Sequence, residues 1–210
     1  QHIDELKKRD LLYEIDEPVN KDTEMSALVR WQFRGGLREE DRKAFLFNNP
    51  IDSKGRDYDI PVVIGALAAN QDIYATGMDT KVDDIAAKWA AAIANPVPPR
   101  LVNEAPCHEV IIEGSDRLTE EGGLVHLPIP LSTPGFDSTP TLAATNVITK
   151  NPDTGTQNMG TYRAGLKSSN RLVVRMATRV GGAEGYMHWK THKSRGEKLP
   201  CAIVVGCPPY

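Results

Sequence analysis

Residues 158–182 read NMGTYRAGLKSSNRLVVRMATRVGG, and this stretch decides the fold of the second half of the chain. Two strand-like runs, TYRAGL and RLVVRM, flank the turn residues Lys167-Ser168-Ser169-Asn170, which predicts a β-hairpin. With the turn centred on Ser169, Arg163 lies directly across from Arg175. Two like charges that face each other on a sheet repel, so a fold keeps them most easily when both guanidinium groups bind one phosphate or carboxylate. The alternative is an offset hairpin in which water solvates both arginines.

A glycine pair, Gly181-Gly182, ends this stretch and precedes a predicted helix that opens near Ala183. Backbone N–H groups exposed at a glycine-rich helix start bind anions. The segment therefore carries a second predicted anion site beside the arginine pair.

Five motifs follow one another in the second half of the chain: APCHEVIIEG, GGLVHLPIPLSTPG, TNVITKNPDTGTQNMGTYR, LVVRMATRVGG and GEKLPCAIVVG. In order and spacing they resemble the UbiD family of decarboxylases, which use prenylated FMN. The resemblance is clear from about Pro106 onward and fainter in the first hundred residues. It implies a split β-barrel that holds the flavin, whereas composition alone leaves barrel and sandwich both open.

The resemblance also implies that three groups of three residues contact the flavin: two groups in predicted strands and one near the flavin phosphate. Arg163 matches the family's active-site arginine, which would hold the substrate carboxylate. Many relatives have histidine where this chain has Arg179, and in some of them that histidine binds the metal. Arginine does not ligate metals, so either the metal has one ligand fewer or the Arg179 cation pairs with phosphate directly. The implied flavin contacts are Thr161, Tyr162 and Arg163; Arg175, Met176 and Ala177; and Arg179, Val180 and Gly181.

Asn158 resembles the asparagine of the family that binds a divalent metal between protein and flavin phosphate. Its amide oxygen suits Mn²⁺ or Mg²⁺, and K⁺ is a second candidate ion; the alternative is a turn-adjacent Asn that bonds the backbone. Strand alternation puts Asn158 and Arg163 on opposite faces. One shared site therefore requires a β-bulge between them, and its free-energy cost is lowest at Gly160. A regular backbone through residues 158–163 would count against a shared site.

The resemblance implies reversible, non-oxidative decarboxylation of an aromatic or α,β-unsaturated carboxylic acid. In the family the acidic proton donor and a metal-binding glutamate lie beyond the position of Tyr210. We therefore expect this chain to be the N-terminal, cofactor-binding part of the enzyme and to be inactive alone. The implied partners are the acid, a flavin prenyltransferase, the rest of the same polypeptide and further copies in a homo-oligomer. The alternative function, which Arg179 favours, is a non-catalytic flavin-binding scaffold.

Composition limits the function classes. The net charge of the 210 residues is −3, which provides no basic field for nucleic acid. No apolar run approaches the roughly 20 residues of a membrane span. Three cysteines without a C-x-x-C pair predict reduced thiols in a cytoplasmic protein, with Cys201 and Cys207 as ordinary strand residues.

The predicted fold class is α+β, with a small α/β domain over residues 1–100 and a truncated flavin-binding split β-barrel domain over 101–210. Proline-rich Pro96-Val97-Pro98-Pro99 marks the boundary. His188 and His192, at i and i+4 of a helix, could bind a metal, but we expect incidental histidines on an exposed helix; His108 and His126 are expected to be structural. Helices are predicted over 3–14, 25–33 and 82–94. Strands are predicted over 43–47, 61–64, 108–112, 123–127, 142–150, 157–166, 171–177 and 202–205.

Overall fold

The structure is a computed structural model that describes residues 1–114, 122–178 and 182–209. It mixes helices with sheets, which confirms the predicted α+β class. The described elements of the first hundred residues are α1 (His2–Lys8), β1 (Leu12–Ile15), β2 (Val19–Asn20), α2 (Met25–Arg34), β3 (Ala44–Phe47), β4 (Pro50–Ile51), β5 (Val62–Ile64), α3 (Gln71–Gly77) and α4 (Ile85–Ala94). The later elements are β6 (Thr141–Lys150), β7 (Gln157–Ser168), β8 (Arg171–Arg175), α5 (Glu184–Ser194) and β9 (Ala202–Val204).

The first part of the chain packs helices against a sheet in the order β1-β3-β5, beside a short β2-β4 pair. β1 and β3 run parallel, and β5 is antiparallel to β3. The buried side chains form two neighbouring clusters, one around Leu6 and Ile73 and the other around Met25 and Phe47. This core positions the surface on which the following segments rest.

The predicted helix over 3–14 is too long. The helix ends at Lys8, and Asp10 takes a left-handed conformation with φ of 57°. Leu12 then enters β1 opposite Ala44. The burial of Leu12 in the sheet core outweighs the helical charge pattern that precedes it, so tertiary packing decides this boundary.

Helix α2 confirms the helix predicted over 25–33, and its C-cap is Gly35. Gln32 is buried with Met25 and Val29, while Leu28 and Phe33 are exposed. The Gln32 amide donates to the Lys43 carbonyl at 2.9 Å and accepts from the Lys43 N–H at 3.0 Å. A polar side chain can therefore take an apolar position.

Beyond the core, a 3-10 helix (Val82–Asp84) precedes α4, so the helix predicted over 82–94 is present in two pieces. Helix α3 was not predicted, although Asn70 caps its start by accepting from the Ile73 N–H at 2.7 Å. Within the described residues, no helix is both long and apolar enough to cross a membrane.

The second part of the chain is built on an antiparallel sheet in the order β8-β7-β6-β9. The hairpin of β7 and β8 has the predicted pairing of Arg163 with Arg175, and the register shifts next to the turn, where Ser168 pairs with Arg171. In the described residues this sheet is open, and the split barrel remains a prediction.

Two predicted strands are wrong. Residues 108–112 contain no strand, and Pro106–His108 form a 3-10 helix that begins at the proline. Gly123–His126 form another 3-10 helix, which starts at a left-handed Gly123 with φ of 63°. Short apolar runs fit a strand or another structure equally well, so hydrophobicity alone misassigns them. Cys201 and Cys207 lie outside β9 rather than in a strand.

The two parts of the chain touch through residues 125–133. Leu131 N–H donates to the Lys21 carbonyl at 3.1 Å, and Arg30 Nη2 donates to the Ser132 carbonyl and the Thr133 hydroxyl at 3.0 Å each. Arg56 reaches the Val125 carbonyl at 3.3 Å. The division at residue 100 remains a prediction.

Candidate functional site

One face of the β7–β8 hairpin carries the two facing arginines, and we call it the arginine face. It is formed by alternate residues of both strands, and these side chains are exposed. Strand alternation selects them, because every second side chain of a strand points to the same side. The members of the arginine face are Met159, Thr161, Arg163, Val173 and Arg175.

The side chains of Arg163 and Arg175 form no hydrogen bond or ion pair with any residue in the described part of the chain. Their cationic groups therefore repel without compensation from a carboxylate. Beside them, Val173 is 60% exposed, and its cross-strand partner Gly165 has no side chain to cover it. Two cations next to a flat apolar surface suit a planar ligand that carries negative charge.

Thr161, on the arginine face, is held from the neighbouring strand. Its hydroxyl donates to Asn146 Oδ1 at 3.1 Å, and Asn146 Nδ2 approaches Cys207 Sγ at 2.9 Å. Thr161 and Asn146 are cross-strand partners. This chain of contacts links β7, β6 and the segment after β9, and fixes one wall of the face.

The opposite side of the sheet packs against α5, and we call it the helix face. Asn158, Gly160, Tyr162 and Ala164 point to it from β7, in register with Thr149, Val147 and Thr145 of β6. Tyr162 thus lies on the other side of the sheet from Arg163. The predicted flavin triplet 161–163 is divided between two faces.

The bulge at Gly160 that one shared site for Asn158 and Arg163 would require is absent from β7. Cross-strand partners run without a break from Gln157 to Tyr162, and the irregularity lies on β6 between Leu142 and Thr145. Gly160 has a different role, because a Cβ there would lie 2.7 Å from Tyr162 Cε2. The Tyr162 ring thus lies flat along Gly160, and its hydroxyl accepts from the Gly185 N–H at 3.4 Å. The regular backbone counts against one shared site for Asn158 and Arg163.

Helix α5 brings an unexpected polar group onto the helix face. His188 is only 2% exposed, and its Nδ1 lies 2.9 Å from the Thr149 hydroxyl oxygen. The prediction of an exposed, incidental histidine is wrong for this residue. Its neighbour His192 instead pairs with Glu197 Oε2 at 3.0 Å. The i, i+4 spacing signals a shared helix side, but the sequence does not reveal which of the two histidines is buried.

The remaining residues that are predicted to contact the flavin come after β8 in the chain. Met176 is half-buried near Gly185, and Ala177 is exposed. The Ala183 N–H donates to the Ala177 carbonyl at 2.7 Å, which holds these two residues close together. Arg179, Val180 and Gly181 lie outside the described residues.

The residues present fit a flavin better than they fit the predicted metal ligand set. The arginine face offers unpaired cations and apolar surface for an anionic ring system. Around Asn158 the described residues contain no group of three or more His, Cys, Asp or Glu side chains able to hold a metal. Asn158 Nδ2 is nevertheless buried without a hydrogen-bond partner, so this position is open to a ligand.

Comparison with known families gives matches along nearly the whole chain. Residues 100–210 match the UbiD model, described as the 3-octaprenyl-4-hydroxybenzoate carboxy-lyase Rift-related domain. Residues 3–93 match UbiD_N, the N-terminal domain of the same carboxy-lyase.

Solved structures of similar shape include the UbiD-class enzyme HmfF from Pelotomaculum thermopropionicum in complex with FMN. It is 28% identical, with a TM-score of 0.80 over 99% of this chain and 42% of that one. An evolved dimeric form of HmfF in complex with prFMN is also 28% identical, with a TM-score of 0.81 over 99% of this chain and 44% of that one. A 3,4-dihydroxybenzoic acid decarboxylase from Enterobacter cloacae is 22% identical and shares the fold, with a TM-score of 0.80 over 99% of this chain and 42% of that one. The chain thus spans less than half the length of these proteins.

Proposed function

The chain belongs to the UbiD family, and on this premise we propose that the protein is a prenylated-FMN-dependent carboxy-lyase that decarboxylates an aromatic or α,β-unsaturated carboxylic acid. In this proposal residues 1–210 are its cofactor-binding part, and further residues of the same polypeptide complete the active site. The observation that carries the proposal is the unpaired Arg163–Arg175 couple on an exposed face, in a chain that matches both family models.

In this proposal the residues of the arginine face bind different ligands. Arg163 binds the substrate carboxylate through its planar guanidinium fork, which matches a carboxylate in geometry and charge. Arg175 and Thr161 would hold the flavin, and Val173 and Met159 would supply the apolar surface next to it. When bound, prenylated FMN supplies the ring that takes up the electrons of the breaking bond to CO₂. The role of the protein is therefore orientation and electrostatic stabilisation.

The other predicted partners remain part of this proposal. HmfF in complex with FMN or prFMN supports the flavin, and a flavin prenyltransferase would supply the modified form. Asn158 would bind a divalent ion such as Mn²⁺, and K⁺ is a second ion of the proposal. Arg179, Val180 and Gly181 would bind the phosphate end. A cytoplasmic location and assembly into homo-oligomers complete the proposal.

The test uses the complete polypeptide, co-expressed with a flavin prenyltransferase and supplied with a panel of aromatic and α,β-unsaturated acids. We expect CO₂ release from at least one acid. Arg163→Gln should lower the rate roughly 10- to 100-fold, since hydrogen bonds to charged groups contribute about 1.5–3 kcal/mol. Arg171→Gln is the matched control, because Arg171 is exposed on the same hairpin but pairs with Ser168.

The scaffold alternative predicts a different outcome. It keeps the flavin but shows neither CO₂ release nor exchange of labelled CO₂ into any acid of the panel. The presence of Arg179 in place of a metal-binding histidine favours this alternative. Equal rates for the Arg163→Gln and Arg171→Gln variants would refute the role given to Arg163.

A further inference from the structure

A short 3-10 helix, Gly123–His126, links the first part of the chain to the β7–β8 hairpin, and we call it the bridge helix. Arg56, in the loop after β4, reaches this helix with both terminal nitrogens of its guanidinium group. Nη1 donates to the Val125 carbonyl at 3.3 Å, and Nη2 lies 3.1 Å from His126 Nδ1. The planar guanidinium fork suits such a two-point contact. Arg56 therefore fastens the bridge helix to the first part of the chain.

The other side of the bridge helix holds the turn of the hairpin. The Leu124 N–H donates to the Ser169 carbonyl at 2.7 Å, and the helix packs against β7. The turn needs this support, because β8 is an edge strand of the described sheet and has a partner strand on one side only. Arg175 follows Arg171, the first residue of β8, by four residues, which is about 13 Å along a strand. A shift of the turn therefore also shifts Arg175 and the arginine face.

Arg56 is itself held from within the first part of the chain. Its backbone N–H donates to Asp52 Oδ1 at 2.9 Å, and its guanidinium carbon lies 5.4 Å from the centre of the Tyr58 ring. The Arg56 side chain is half-buried. Because these contacts already restrict it, the guanidinium group loses less conformational entropy on binding the bridge helix than a mobile surface cation would.

The contact between Arg56 and His126 requires a neutral imidazole. A guanidinium group only donates hydrogen bonds, so Nδ1 of His126 must accept with its lone pair. Protonation of the ring fills this lone pair and places a second cation beside Arg56. An imidazole in water takes up a proton at about pH 6.5. The contact is therefore present at neutral pH and is lost as the imidazole becomes protonated.

The charged groups around His126 do not offset this repulsion. Among the residues that the structure describes, the imidazole forms a hydrogen bond with Arg56 alone. The loop that carries Arg56 also carries Asp52, Asp57 and Asp59, and none of these carboxylates forms an ion pair with the imidazole. The hairpin on the other side of the bridge helix contains cations as its only charged residues, which are Arg163, Lys167, Arg171 and Arg175.

We infer that Arg56 and His126 form a pH-sensitive clamp that positions the β7–β8 hairpin, and with it the arginine face, for flavin binding. The clamp is closed while His126 is neutral and opens when the imidazole is protonated. Arg56 is thus a positioning residue that lies outside the arginine face and acts on it through the bridge helix. Only the effect on flavin rests on the proposed function, because the clamp itself involves neither flavin nor substrate.

Amide hydrogen exchange of the complete polypeptide, purified free of flavin, measures the clamp at the Leu124 N–H. After correction for intrinsic exchange, we expect this amide to exchange about two- to tenfold faster at about pH 5.5 than at about pH 7.5, as for the loss of one hydrogen bond. His126→Asn places an amide oxygen near the position of Nδ1 and does not titrate, so its exchange should stay slow at both pH values. Arg56→Gln should exchange fast at both. His108→Asn changes an exposed histidine of another 3-10 helix and is the matched control, with the pH dependence of the wild type.

FMN affinity is measured on the same proteins at both pH values. Relative to His126→Asn, the wild type should lose about two- to tenfold in affinity at the lower pH, and this comparison cancels the titration of the FMN phosphate. His126 is exposed, so His126→Asn decides the test if Arg56→Gln does not fold.

The possible outcomes separate the clamp from the proposed function. Equal pH dependence of Leu124 exchange in the wild type and His126→Asn would overturn the clamp, and FMN binding by both would leave the proposed function standing. Leu124 exchange that depends on His126, in a protein that binds no FMN, would overturn the proposed function and leave the clamp standing. If exchange depends on His126 but FMN affinity does not, the positioning of the arginine face by the clamp is refuted.

Discussion

Replacing Arg175 by Gln should stabilise the flavin-free protein and destabilise the flavin-bound one. In the free protein Arg175 faces Arg163 across the hairpin, and neither is neutralised by a described residue. The substitution removes the repulsion between two cations. With flavin bound, the same substitution removes a charge that attracts the cofactor. The change in stability therefore reverses sign when the ligand is added.

The size of the effect follows from the register. Directly opposed residues have Cβ atoms about 5 Å apart, which places the guanidinium groups roughly 6 Å apart. Two unit charges at that distance repel by about 0.7 kcal/mol in water. Screening reduces this by roughly half at about 0.1 M salt and by nearly tenfold at about 1 M. We expect a gain of about 0.5 kcal/mol at low salt and almost none at high salt.

Urea denaturation of the flavin-free protein at low and high salt measures this gain, and repetition with saturating FMN measures the reversal. Arg171→Gln is the control, because it makes the same chemical change on β8 without a facing arginine. It should change stability equally at both salt concentrations. If Arg175→Gln and Arg171→Gln behave alike in low salt, the two arginines do not repel each other, and the electrostatic argument for anion binding at this pair fails.

Three further predictions concern the framework around the site. Gly160→Ala should lower the free energy of unfolding, measured by urea denaturation, by about 1–3 kcal/mol, because the new methyl group displaces the Tyr162 ring. In a Tyr162→Ala background the same substitution should have no such effect, and additive losses in the double variant would contradict the explanation. Asn70→Ala should lower the free energy of unfolding by about 1–2 kcal/mol, since Asn70 caps α3 through the Ile73 N–H and donates to the Arg42 carbonyl at 2.7 Å. Asn70→Asp keeps only the cap and should have a stability between those of the wild type and Asn70→Ala; equal losses in the two variants would refute a separate role for the cap. Burial, together with the Asp52 carboxylate, raises the pKa of Tyr58 to about 12, so the neutral phenol stabilises the fold below pH of about 10 and this contribution is lost as the pH rises to about 12. Tyr58→Phe should flatten the decline in stability over this pH range, and identical pH profiles of the variant and the wild type would contradict the raised pKa.

The sequence predicts the hairpin correctly because local chemistry specifies it. A polar turn between two apolar runs predicts a hairpin, and a turn centred on Ser169 gives the Arg163–Arg175 pairing that the structure has, whereas the same pattern also allows an offset hairpin. The glycine stop of α2 is equally local. Features of this kind depend on residues that are close in the chain.

The errors arise where distant residues decide. Leu12 leaves the predicted helix because β3 offers a partner strand. Gly160 carries the typical signal of a bulge, yet the structure uses it to accommodate the ring of Tyr162. His188 is buried because α5 lies across Thr149. Ala44 and Thr149 are distant in sequence from Leu12 and His188, and Tyr162, although two residues from Gly160, affects it through the placement of its ring, so periodicity and turn signals alone do not identify these contacts.

The identity and amount of flavin released from the complete protein, co-expressed with a flavin prenyltransferase, test the central claim most directly. The account predicts prenylated FMN in the wild type, in Arg171→Gln and in Arg163→Gln, whose side chain binds the substrate, and a large loss of flavin in Arg175→Gln. A protein without flavin, or one that retains equal flavin in all four forms, would contradict the assignment of the arginine face as the cofactor site.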